Sequence, residues 1–186
     1  MVFLVEERSM KTLLEGLLPR ILPKDILFQI IPHEGKADLE RSVPIKIKAW
    51  TEPEVKFVII QDQDSNDCKD LKQKLVSLAA PYGKQFLVRI ACHELEAWYF
   101  GDMDALEKTY DVDLSPIRNK KMYRDPDAIV SPKSELRKII PEHKQIEGAR
   151  KMAPKMDISG NRSHSFNVFV SGVRRLCEGE AERDNK

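Results

Sequence analysis

Residues 56–70 read KFVIIQDQDSNDCKD. Phe57, Val58, Ile59 and Ile60 form an apolar run without a polar break, the pattern of a strand covered on both faces in a parallel sheet. The run stops abruptly in acid. Asp62 and Asp64 stand where such a strand ends, and Asp67 stands where a helix over 68–78 needs an N-cap. Two carboxylates one residue apart at the mouth of a buried strand either share a cation or cap a turn. A calcium loop of the EF-hand kind is excluded, because its sixth position is Asp67 instead of Gly and its twelfth is Gln73 instead of Glu.

The rest of the chain repeats this pattern. Residues 2–5 are a short apolar strand ending in Glu6 and Glu7, and Ser9 is placed to cap an amphipathic helix carrying Leu13, Leu14, Leu17, Leu18 and Ile21. Pro23 closes that helix. Residues 26–31 read as a second strand, followed by a loop with Gly35 and Lys36 and a helix from near Ala37. Pro44 predicts that this helical stretch is split in two, and Pro53 marks the loop before the central strand. Residues 85–92 form a fourth strand that runs straight into His93, Glu94, Leu95 and Glu96.

Strand and helix thus alternate four times. That rhythm predicts an α/β fold of the Rossmann-like kind, with a mostly parallel sheet of at least four strands flanked by helices. In such a sheet all carboxyl ends lie on one edge, where ligands bind. The acids ending strands one, three and four (Glu6; Asp62 and Asp64; Glu94 and Glu96) are therefore expected to converge, and carboxylates so gathered suit a divalent metal.

Beyond Glu96, residues 97–100 and 104–110 read as short helices, with Asp102 either joining the acids or capping the second. Residues 111–132 are polar, and the basic run of Asn119, Lys120, Lys121 and Arg124 reads as a solvated face. Helices are expected over 134–140, 146–156 and 166–176, and the tail 177–186 is charged and expected to fray. The division expected is an α/β core over 1–110, with 111–186 as a polar loop and helical extension packed on the same domain.

Composition bounds the function. The chain has 186 residues, with 31 basic and 30 acidic, a net charge of +1, so bulk charge does not steer it to nucleic acid or membrane. Cys68, Cys92 and Cys177 are odd in number and show no C-x-x-C spacing, which argues against a disulfide framework and a structural zinc site. The opening MVFLVEERS is neither a signal peptide nor an anchor, and no segment is long enough to span a bilayer. A soluble cytoplasmic protein is expected.

An acid after the first strand, D-x-D after the third and further acids after the fourth resemble the Toprim domain of topoisomerases, primases and old-phage-exclusion (OLD) nucleases. More specifically, VEERSM, HEGKADL, VIIQDQDSNDC, RIACHELEAWYFGD and NRSHSFNVFVSGV are similar to a bacterial domain-of-unknown-function family, number 4276. Its members carry a VEGxTE opening, a GK loop, DxDxxDC and ELEAW. The resemblance implies a Toprim-type fold, Mg²⁺ or Mn²⁺, and phosphodiester chemistry on nucleic acid, DNA before RNA. It also implies a partner ATPase of the AAA or ABC type in phage defence. Glu6 matches the first Toprim glutamate, Asp62 and Asp64 the D-x-D pair, and Glu94 and Glu96 the acids of ELEAW. The Gly after the first glutamate is Glu7 here, and the last acid of VEGxTE is Met10, whose thioether is a poor ligand for a hard cation.

Phosphodiester cleavage needs an activated water and stabilisation of the leaving oxygen, which carboxylate-held divalent ions supply. In that reading Glu6, Asp62, Asp64, Glu94 and Glu96 hold metal, and Lys36 and Arg162 clamp phosphate. Ser163 and Ser165 read as helix caps, His164 as a surface residue, and Trp98 and Tyr99 as core. The expected function is a metal-dependent nuclease subunit. The alternative is an inactive interaction subunit that docks on the ATPase. A response-regulator-like phosphoacceptor fits the D-x-D and ELE segments less well, and a topoisomerase would need a second domain carrying a nucleophilic Tyr.

Overall fold

The four apolar runs become four strands, here in a computed structural model that describes residues 1–179. They are β1 (Val2–Val5), β2 (Gln29–Pro32), β3 (Lys56–Asp62) and β4 (Gln85–Ala91). They form one sheet in the order β2-β1-β3-β4 with every pair parallel. The helices in chain order are α1 (Arg8–Ile21), α2 (Lys36–Ala49), α3 (Cys68–Ala79), α4 (Glu96–Phe100), α5 (Met103–Tyr110), α6 (Ser115–Arg118), α7 (Pro132–Ile139), α8 (Gln145–Met152) and α9 (His164–Glu178).

Strand residues alternate between two apolar clusters, one on each face of the sheet. Val2, Leu4, Phe57, Ile59 and Val88 pack with Leu39, Val43 and Ile47 of α2 and Leu71, Leu75 and Ala79 of α3. Phe3, Val5, Val58, Ile60 and Leu87 pack with the leucines of α1 and with Phe166, Phe169 and Val173 of α9. Phe57, Val58, Ile59 and Ile60 are fully buried, which is why the run has no polar position. Each such side chain contributes about 1.5–3 kcal/mol on leaving water. The second cluster runs on through Leu114, Tyr123, Ile129 and Leu136 to Leu176, so residues 114–176 pack on the same core as the strands.

The strand order reverses between β1 and β3. In open parallel sheets the ligand crevice lies outside the carboxyl ends at that switch point.

Several local expectations are corrected. The second strand begins at Gln29 instead of 26, because Ile26 is held in a turn by the hydrogen bond its amide donates to Pro23 O (3.1 Å). Ser9 lies inside α1 instead of capping it, and its hydroxyl donates to Glu7 Oε1 at 2.6 Å. Pro44 does not split α2. The proline removes one intrahelical hydrogen bond, but Leu39, Val43 and Ile47 are buried on either side of it and hold the helix to the sheet. The stretch 111–132 contains α6 and two single turns, Lys121–Tyr123 and Pro126–Ala128. The basic run within it is exposed throughout. At the end of the chain, α9 includes Cys177 and Glu178, while residues 180–186 of the charged tail lie outside the described residues. Among the described residues no helix is long and apolar enough to cross a membrane.

Candidate functional site

β1 and β3 are neighbours in register, Val5 opposite Ile60, so the residues that follow them meet although 56 positions apart. The Asp62 amide donates to Glu6 Oε2 at 3.1 Å. Asp62 Oδ2 in turn accepts from the Leu95 amide at 3.4 Å, tying the end of β3 to the segment after β4. Asp62 is 6% exposed. Burial, reinforced by the charges of Glu6, Glu96, Glu7 and Asp64, pushes its pKa well above the usual carboxylate range. Glu6 is pushed up to about 7, chiefly by burial; the Asp62 amide and Lys36 oppose that shift, and Asp64 and Glu7 add to it.

The next carboxylate is set by unusual backbone. Asp64 and His93 both take positive φ, 50° and 55°, a region Asp and His tolerate better than most residues. They face each other: the Asp64 amide donates to His93 O at 2.7 Å, and His93 Nδ1 lies 2.9 Å from Asp64 O. Asp64 forms an ion pair with Lys36 Nζ. Lys36 opens α2 directly after Gly35, whose φ of 95° turns its amide onto Glu6 O at 3.1 Å. The GK loop therefore brings its lysine to the D-x-D pair.

Glu94 and Glu96 end up in different settings. Glu94 accepts from the Lys133 amide (2.9 Å), and its Oε1 lies 3.9 Å from Lys133 Nζ. Burial raises the Glu94 pKa, partly offset by the Lys133 amide and ammonium. Glu96 is the first residue of α4 and is 1% exposed. Neither of its carboxylate oxygens has a hydrogen-bond partner among the described residues. Its Oε1 lies 3.7 Å from His143 Nε2, and His143 Nδ1 is 2.6 Å from the Tyr110 hydroxyl.

The sequence reading missed four residues here: Glu7, Lys133, His143 and Gln145. Burial disfavours the ammonium of Lys133, but the fields of Glu96, Glu7, Glu94 and Asp62 outweigh it and hold its pKa above the usual lysine range. Lys133 is thus a cation facing acids from all three strand ends. It also lines a cavity of ≈ 420 Å³ with Glu94, Ser131, Ser134, Arg137 and Lys138. Gln145 Nε2 reaches Glu7 Oε1 at 3.3 Å from α8. Ser131 and Pro132 mark a helix start, which could have placed Lys133 on a first turn. Nothing local says which strand end that turn faces.

Arg162 goes elsewhere. Its guanidinium donates to Phe100 O at 3.2 Å, at the far end of α4, and it forms no ion pair with the acids among the described residues. Ser163 caps α9 by accepting from the Phe166 amide (3.1 Å), Ser165 accepts from Trp98 Nε1 (2.9 Å), and His164 is exposed. Asp102 caps α5 and Asp67 caps α3. Trp98, Tyr99 and Met10 are buried in the core.

The donor set consists of hard carboxylate oxygens, the chemistry Mg²⁺ and Mn²⁺ take, and the unpartnered oxygens of Glu96 are suited to that use. Among the described residues, however, no three acidic, histidine or cysteine groups stand together as an ion would need them.

Fold and site together define an open parallel α/β protein with carboxylates meeting at its switch point. The chain belongs to the family described as "Domain of unknown function (DUF4276)", whose sequence profile matches residues 5–174. No curated protein and no solved structure matches it.

Proposed function

We propose that the chain is a Toprim-like, divalent-metal-dependent nuclease acting on the phosphodiester bonds of nucleic acid, DNA before RNA. The observation that carries this reading is the meeting of Glu6 and Asp62 at the switch point, with Asp64, Glu94 and Glu96 in the same field. Buried carboxylates that repel one another hold protons at a cost, and a dication relieves that cost. A bound Mg²⁺ or Mn²⁺ would be held by Glu6, Asp62, Asp64, Glu94 and Glu96, and would supply an activated water and charge stabilisation at the leaving oxygen. Lys36 fixes Asp64. Lys133, with Arg137 behind it on α7, offers the phosphate a cation beside Glu94.

A net charge near zero gives the isolated chain little grip on a polyanion. A partner ATPase of the AAA or ABC type, in phage defence, fits as the source of that grip. The second reading, a docking subunit without activity, is favoured by one observation: the acids are not gathered into a ligating group of three among the described residues. The assay that separates the two incubates the chain, alone and with a neighbouring ATPase, with single- and double-stranded substrates and each metal beside Asp62→Ala. Metal-dependent cleavage lost in the variant supports the nuclease. Identical traces from both proteins, with a stable ATPase complex, support the docking subunit.

A further inference from the structure

Near its end β3 turns one polar side chain towards the face of the sheet covered by α2 and α3. Phe57 and Ile59 pack there, and Gln61 is the next residue in that alternation. It is the sheet's contribution to a cavity of ≈ 460 Å³ whose other walls come from α2, from α3 and from the two residues before α3. Polar groups on those walls have partners. Glu40 is paired with Lys74 (2.7 Å), Asp67 caps α3, and the Asn66 side-chain amide donates to Gln63 O (2.9 Å). Gln61 differs: it is fully buried, and neither its amide oxygen nor its amide nitrogen has a partner among the described residues.

A buried amide is satisfied by a group that offers a donor and an acceptor side by side, and a nucleobase edge is such a group. Adenine gives its N6 amino group to the amide oxygen of a Gln and takes the amide N–H at N7. The carboxylates of Glu40, Asp67 and Asp70 on the walls favour a base that bears an amino group over thymine or uracil, whose edges carry two carbonyls. They also disfavour a phosphate inside the cavity. Ala37 and Leu71 supply apolar surface for the ring. Lys36 lines the cavity and pairs with Asp64, so a base held here leaves its sugar and phosphate beside the acidic edge.

We infer that this cavity takes an unpaired adenine base of a nucleic-acid strand and that Gln61 reads it. Such a preference rests on the nucleic-acid reading proposed above and deepens it. Lys74 is exposed and Lys36 partly so, and side chains of that kind change rotamer readily, which lets a base reach the amide at the floor.

The test titrates the full chain, at low salt with chelator so that nothing is cut, into fluorescently labelled oligo(dA), oligo(dT) and an oligo(dA) carrying 7-deazaadenine. Oligo(dA) should bind about 10-fold more tightly than oligo(dT), the scale of one bidentate base contact. 7-Deazaadenine, which lacks the N7 acceptor, should reduce the preference, and Gln61→Leu should abolish it while leaving oligo(dT) binding unchanged. Adenosine titrated alone should bind more weakly than oligo(dA); equal or tighter binding would overturn the strand as the source of the base. Equal binding of the two strands by the parent, or a preference that survives in Gln61→Leu, would overturn the inference without bearing on cleavage. Absence of binding to either strand would overturn it together with the nucleic-acid reading.

Discussion

The sheet and the segment beyond residue 110 contribute to the same acidic edge by different rules. The sheet supplies acids, because a parallel topology places every strand's carboxyl end on one edge. The later helices and the turn between α7 and α8 supply the cation Lys133 and the polar groups His143 and Gln145, through packing that no local pattern announces. A constellation built on strand ends can be read from spacing. One completed by a packed extension needs the fold.

The comparison is tested most strongly by substituting one cation from each reading. If Lys133 holds phosphate at the crevice, Lys133→Ala should lower metal-dependent cleavage by about 10²-fold, the typical cost of removing one stabilising donor from an active site. Arg162→Ala should change it far less, since Arg162 is bonded to Phe100 O. The reverse ranking, read from initial rates with both variants folded, would return the phosphate to Arg162.

A second test uses proton linkage. Glu6 is raised to about 7, with Asp62 and Glu94 also raised. Between the ordinary carboxylate range and about 7, the native state holds protons that the unfolded chain has lost. Stability without divalent ions should therefore fall as pH rises through that window. Urea unfolding at pH 5 and pH 8 with chelator present should show it, and Glu6→Gln should flatten the slope. A flat parent profile would mean that these carboxyls are well solvated.

The smallest expected effect sharpens the contrast between sheet interior and edge. Gln61 continues the inward face of Ile59, is fully buried, and has no partner for either side-chain atom among the described residues. It lines a cavity of ≈ 460 Å³ shared with Lys36, Asn66 and Asp70. Gln61→Leu should raise stability by about 1 kcal/mol, since it removes an unsatisfied amide. In a domain of this size that is roughly 2–4 °C in Tm. A loss of stability would show that the amide is satisfied from within the crevice.

Much of this arrangement is legible in the sequence. The Phe57–Ile60 run, the repeated strand-helix rhythm and the acids after strands one, three and four lead to the parallel sheet and to Glu6 meeting Asp62. Pro44 misled because tertiary burial of one helix face outweighs a single lost backbone bond. Ser9 misled because its hydroxyl bonds to Glu7 and not to a free helix amide. Arg162 is read as a phosphate clamp from its charge and its place in NRSHSF before a helix, and only the packing of α4 against the turn before α9 shows where its guanidinium goes. Glu96 is read from the sequence, with Glu94, as one of the acids that follow strand four. It lies in the first turn of α4, against His143, a placement that the spacing alone does not give.

The most direct test of the central claim is calorimetric titration of the chain with Mn²⁺ at pH 6, 7 and 8, beside the Asp62→Asn, Asp64→Asn double variant. If the carboxyl edge holds a dication in place of protons, binding should release protons, tighten as pH rises through about 7, and disappear in the double variant. Equal binding by both proteins, or none by the parent at any pH, would contradict it.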